Sequence, residues 1–154
     1  MEITKVTKSS FAVIGREGTT KEGFGFIQHL WGDATAHFEE IVSLAKRDEK
    51  GNFVGFWGAM SDFTRSFQPW ENDFSEGLYL AGAEVEDDAI APKGWTKWVM
   101  PASEYLVVKN QGETTFPDMI AYMKENQIEL VGAVYDFTDP VTQQEYMYFP
   151  IKRL

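Results

Sequence analysis

The sequence contains no cysteine, which excludes disulfides, thiolate catalysis and Cys-ligated zinc together. Basic residues are scarce: 14 Lys and Arg stand against 24 Asp and Glu, a net charge of −10 and an isoelectric point near 4.6. A surface that acidic repels phosphate backbones and anionic membranes, which argues against nucleic acid or membrane as a partner. No apolar run approaches the ~20 residues that span a bilayer. Met1 leads straight into Glu2-Ile3-Thr4-Lys5 without an apolar leader, so a cytoplasmic protein is expected. Histidine is limited to His29 and His37, without a third ligand at metal-binding spacing. Gly58-Ala-Met-Ser61 is not a nucleophile elbow, and Gly23-Phe24-Gly25 lacks the lysine and third glycine of a phosphate loop. No metal and no cofactor are implied. No low-complexity segment or linker divides the chain, so residues 1–154 read as one domain.

Aromatic residues are abundant, at 15% of the chain. A core alone seldom asks for so many, and some of the rings are expected to line a pocket. The apolar spacing predicts strands over 3–15, 54–60, 78–85, 95–99, 105–108, 130–137 and 146–151. Phe26, Ile27, Leu30, Trp31, Ala34, Phe38, Ile41, Val42 and Ala45 recur at helical spacing and predict a helix of about five turns. Phe116, Met119, Ile120 and Met123 predict a second helix, with Thr115 as its cap and Asp118 as a capping-box-like partner.

The elements repeat in order, strand–helix–strand–strand, over roughly 1–88 and 95–154. Phe11-Ala-Val-Ile matches Tyr105-Leu-Val-Val, Gly55 to Asp62 matches Gly132 to Asp139, and Tyr79-Leu-Ala matches Tyr146-Met-Tyr. The fold class is therefore α+β: two fused βαββ modules forming one antiparallel sheet. Both helices would cover one face, and the other face would hold a concave ligand pocket. Strand parity places Met147, Phe149 and Ile151 against the helices and Tyr146 and Tyr148 on the open face. The repeat puts Tyr79 with Tyr146.

Phe11-Ala-Val-Ile-Gly15, Leu30-Trp31, Leu78-Tyr-Leu-Ala-Gly-Ala-Glu-Val85, Pro92-Lys-Gly94, Pro101-Ala-Ser-Glu-Tyr105 and Phe149-Pro-Ile151 fall in an order that resembles the GyrI-like family, also called AraC-type effector-binding domains. The resemblance covers nearly the whole chain. It implies a stand-alone small-molecule-binding domain for a hydrophobic, aromatic or multi-drug-like ligand, serving sequestration, sensing or detoxification. It also implies two alternatives: a hydrolase that inactivates cyclopropane-containing genotoxic natural products in the same pocket, and a DNA gyrase inhibitor acting by protein–protein contact. Cation-binding members carry a glutamate on the penultimate strand, two residues before a tyrosine. In Ala133-Val-Tyr-Asp-Phe137 that glutamate is missing and Asp136 is the acid nearby, so a neutral polycyclic ligand fits as well as a cation.

The ligand-binding candidates are Trp57, Tyr79, Trp98, Tyr105, Tyr135, Asp136, Tyr146 and Tyr148, chosen because Tyr and Trp combine apolar area with a polar tip. Trp57 either fills core under the first helix or floors the pocket. Trp31, in the helix stripe, is expected in the core. Catalytic candidates are Glu145, Glu84 and Tyr105: a carboxyl walled by rings has a raised pKa and can act as general acid, or as base toward water.

Overall fold

A computed structural model describes the whole chain, Met1–Leu154. Eight strands are hydrogen-bonded into one sheet: β1 (Ile3–Lys8), β2 (Phe11–Thr19), β3 (Phe56–Ser61), β4 (Leu78–Val85), β5 (Thr96–Met100), β6 (Ser103–Lys109), β7 (Tyr135–Thr138) and β8 (Glu145–Arg153). Their order is β1-β6-β8-β7-β3-β4-β2-β5, and every neighbouring pair is antiparallel. The helices are α1 (Phe26–Ala36), the single turn α2 (Glu71–Phe74) and α3 (Thr115–Glu125). None is long and apolar enough to cross a membrane.

The two βαββ units are β2-α1-β3-β4 and β6-α3-β7-β8, joined along a β3–β7 seam. β1 and β5 extend the two ends. Only Ser9-Ser10 separates β1 from β2, and only Pro101-Ala102 separates β5 from β6, although each pair lies far apart in the strand order. Such short connections draw the ends of the sheet together, so the sheet curls. Gly15 and Gly82 face each other in the β2–β4 ladder, where a Cβ on either would collide with the opposite backbone. Two bare positions let the β2 and β4 backbones approach closely there.

Curling makes one face an interior. Phe11, Val13, Trp57, Leu80, Trp98, Tyr105 and Tyr135 are buried there, and Phe67, Phe137, Tyr146 and Tyr148 pack around them. The opposite face carries both helices. Ala34 of α1 packs on Ala12, Ile14, Ala83 and Val85, and Met119 and Met123 of α3 pack on Leu106, Val108, Val134, Met147 and Phe149. The period-2 alternation of the strands divides these two sets of side chains.

Several expectations are corrected. The strand over 3–15 breaks at Ser9-Ser10, where the chain crosses between the sheet's ends. The first helix stops at Ala36 and a 3₁₀ turn follows at Phe38–Glu40. Ile41 and Ala45 are still buried against the sheet, so the apolar spacing outlasts the helix because the loop also lies on that face. Thr115 stands inside the first turn of α3, and its hydroxyl accepts a hydrogen bond from Gln111 N at 2.9 Å. The face opposite the helices is filled by rings over most of its extent, and what stays open is a groove of about 390 Å³ at the β1–β6–β8 end, lined by Thr4, Val107, Lys109 and Tyr146. The repeat matches at 55–62 and at 79–81 each slip by one residue. In the sheet Trp57 shares the inner face with Tyr135, while Tyr79 lies on the helix side as Met147 does. A one-residue slip reverses every side chain, so Tyr79 does not share a face with Tyr146.

Candidate functional site

Between α1 and α3, over the β3–β7 seam, lies a cleft of about 530 Å³, within the range of small-molecule sites. Ile27 of α1 and Phe116 of α3 contribute to its walls, and Trp70 and Phe74 come from the segment after β3. Met60, Val134, Asp136 and Met147 form its floor. The Phe74 and Phe116 rings meet edge-on with centroids 5.2 Å apart, tying the 70–76 segment to α3. Asn110 and Asp136 also line an adjoining recess of about 100 Å³, whose other walls include Trp31, Gly58, Tyr79 and Glu145.

The floor is apolar except for Asp136. Burial pushes its carboxyl up from the ordinary 3.8 to about 7, and the negative charge of Glu145 adds to the shift. Asp136 belongs to none of the protein's ion pairs. Tyr79 stands beside it. Trp31 Nε1 donates to Tyr79 Oη at 2.9 Å, so the Tyr79 hydroxyl keeps its own proton to donate. Burial and then the charge of Asp136 raise the Tyr79 pKa, against a smaller opposing pull from the Trp31 bond. The phenol therefore stays protonated at neutral pH. The cleft and its adjoining recess together offer apolar walls, one carboxyl that titrates near neutrality and one O–H donor.

Of the residues singled out in the sequence, Asp136 lies on the floor of this cleft and meets Tyr79 and Glu145 in the adjoining recess. Trp57, Trp98, Tyr105 and Tyr135 are buried in the inner ring core, and Tyr148 packs against them. Trp57 is therefore neither under α1 nor on the floor of the cleft. Its ring centroid lies 5.0 Å from that of Tyr148 and 4.7 Å from that of Phe11. Trp98 Nε1 donates to Glu17 Oε1 at 2.8 Å, and burial pushes the Tyr105 hydroxyl up to about 12. Tyr146 is half-buried at the margin of the ring core. Glu84 is buried on the inner face and accepts from Trp57 Nε1 at 3.0 Å.

Sequence reasoning missed Ile27, Met60, Trp70, Asn110 and the wall made by Phe116. Met147 and Phe116 carry the pattern of ordinary helix-covered core, and nothing in that pattern says that two helices leave a gap. One signal was present. Asp136 follows Val134 on the helix-facing parity, and an acid at such a position needs a reason. His37, Glu39 and Glu40 bring potential ligand atoms within 4.8 Å of one another on the exposed turn after α1. His37 there pairs with Asp33 and Glu40 at 3.7 and 3.3 Å.

No family model matches the chain, and no curated protein matches its sequence. Among solved structures it is similar to SAV2435 bound to tetraphenylphosphonium, at 18% identity over 99% of this chain and 94% of that one, with a TM-score of 0.65. It is similar to EcmrR in a cryo-EM complex with DNA, at 9% identity over 99% of this chain and 58% of that one, TM-score 0.68. It is also similar to an integron cassette protein from the mobile metagenome of Vibrio cholerae, at 14% identity over 98% and 95%, TM-score 0.50. At these identities the shared property is the α+β fold.

Proposed function

We propose that this protein is a small-molecule-binding domain of the GyrI-like type, and that its site is the cleft between α1 and α3. The ligand is a hydrophobic, ring-bearing molecule, and a lipophilic cation suits it best. One observation carries the reading: Asp136 is an unpaired carboxyl on the floor of an otherwise apolar cleft. Ionised, it is a costly charge among Met60, Val134 and Met147; a bound cation offsets that cost. Ile27, Trp70, Phe74 and Phe116 supply the apolar and aromatic area that a large organic cation covers. SAV2435, which has this fold, is bound to tetraphenylphosphonium. The site lies on the helix-covered face, so the inner rings of Trp57, Trp98, Tyr105, Tyr135 and Tyr148 serve packing rather than ligand contact.

Titration with tetraphenylphosphonium at pH 8 tests this reading. Wild type is expected to bind in the micromolar range, and Asp136→Asn at least tenfold more weakly. Equal affinities in the two proteins would remove Asp136 from the site.

A second reading is hydrolysis in the same cleft. The Tyr79 hydroxyl next to a carboxyl titrating near 7 pairs a donor for a carbonyl oxygen with a group able to accept a proton from water. Incubation with a cyclopropane-bearing dienone, followed by mass spectrometry, separates turnover from binding. A product one water heavier supports the hydrolase, and recovery of intact ligand supports binding alone.

A further inference from the structure

A buried carboxylate and an ammonium meet on the inner face, on the far side of the sheet from the cleft. Glu84 of β4 is only 5% exposed. Its Oε1 accepts from Trp57 Nε1 at 3.0 Å and faces Lys8 Nζ at 3.4 Å. The same ammonium lies 4.4 Å from the Phe11 ring centroid and 5.6 Å from that of Trp57. An ammonium over aromatic faces with a carboxylate beneath it is the arrangement that recognises organic amines. Here the amine comes from the chain itself.

The occupant arrives on one of the sheet's two edge strands. β1 is an edge strand, paired only with β6, and most of its side chains are at least partly in water. Lys8 is its last residue, followed directly by the Ser9-Ser10 link. Glu84, by contrast, sits on a strand paired on both sides, to β2 and β3. The acceptor's strand is held on both sides and the cation's on one. Leaving Glu84 without a cation would strand a charge in the ring core, which is costly.

We propose that Glu84, Phe11 and Trp57 form a second site, for the ammonium end of an aliphatic amine, with Lys8 as the built-in ligand and β1 as its lid. An external amine of the right shape competes with Lys8 and loosens β1 from β6. Lysine carries its ammonium on four methylenes, so n-butylammonium reproduces the occupant.

Chemical rescue tests the proposal. Lys8→Ala should melt below wild type and regain most of the loss in millimolar n-butylammonium, with at least tenfold tighter binding than wild type shows. n-Butanol should have no such effect, and the double variant Lys8→Ala/Glu84→Gln should not respond to the amine. Should Lys8→Ala not fold alone, refolding in n-butylammonium should restore its circular dichroism, and Lys8→Met provides a second background. In wild type, high n-butylammonium should speed amide exchange in residues 4–8 while leaving residues 78–85 protected. Absence of rescue in both backgrounds, or rescue that survives Glu84→Gln, overturns the site. Unchanged exchange in residues 4–8 overturns the lid.

Discussion

Gly58 and Asp136 face each other in register across the β3–β7 seam, and the Tyr79 hydroxyl rests over Gly58 in the space a side chain would occupy. The missing Cβ is what lets β4 reach its tyrosine across β3 toward the acid on β7. Three residues from three strands thus converge although no pair of them is close in sequence.

Gly58→Ala should therefore do more than fill a gap. The new methyl collides with Tyr79 Oη, which must swing out and lose its bond from Trp31. Overpacking of this kind costs roughly 1–3 kcal/mol. The expected result, read by denaturant titration, is a loss in that range together with weaker tetraphenylphosphonium binding.

Asp136 should govern two opposite pH dependences. Its folded pKa of about 7 lies above the ordinary 3.8, so folding favours the protonated form. The stability it contributes is complete below about pH 4 and is lost as pH rises through 7. Asp136→Asn, neutral throughout, should flatten that decline, seen as a smaller difference in Tm between pH 5 and pH 8. A cationic ligand prefers the ionised carboxyl, so wild-type affinity should rise about tenfold from pH 6 to pH 8, as the ionised fraction does. The Asn variant should show no such rise.

Ligand-induced quenching should follow Trp31 and Trp70, which line the recess and the cleft. Removing either ring, as Trp31→Phe or Trp70→Phe, should shrink the quench. Trp98→Phe should lower stability and leave the remaining quench intact, because Trp98 lies in the inner core bonded to Glu17.

Neighbouring residues on β8 face opposite ways and should fail differently. Phe149 is fully buried under α3 and stacks on Phe116 with centroids 5.9 Å apart; its truncation to Ala should cost roughly 3–5 kcal/mol. Tyr148 is half-buried among Trp57, Tyr105 and Phe137. Tyr148→Ala should cost less than Phe149→Ala and leave cation affinity in the cleft within about twofold. A tenfold loss of affinity on Tyr148→Ala would return the site to the ring face.

The sheet was legible because burial imposes period 2 on its strands: Leu78–Val85 emerges with the predicted bounds, and Tyr148 and Phe149 take the predicted sides. The curl was not. It depends on Ser9-Ser10 and Pro101-Ala102 joining strands at opposite ends of the order, a long-range fact. Without the curl, inner rings read as an open pocket wall. The site was half legible for the same reason. Asp136 and Tyr79 stood out by residue type, but the gap between α1 and α3 leaves no trace in the stripes of either helix. The repeat, matched one residue out of register, puts Tyr79 on the inner face, whereas it lies on the α1 side.

The most direct test of the cleft is a crystal structure of the protein grown with tetraphenylphosphonium. The cation should lie between α1 and α3, its phosphonium nearest the Asp136 carboxylate and its phenyl rings against Ile27, Trp70 and Phe116. A cation seated instead among Trp57, Tyr135 and Tyr148, with the cleft empty, would contradict the assignment.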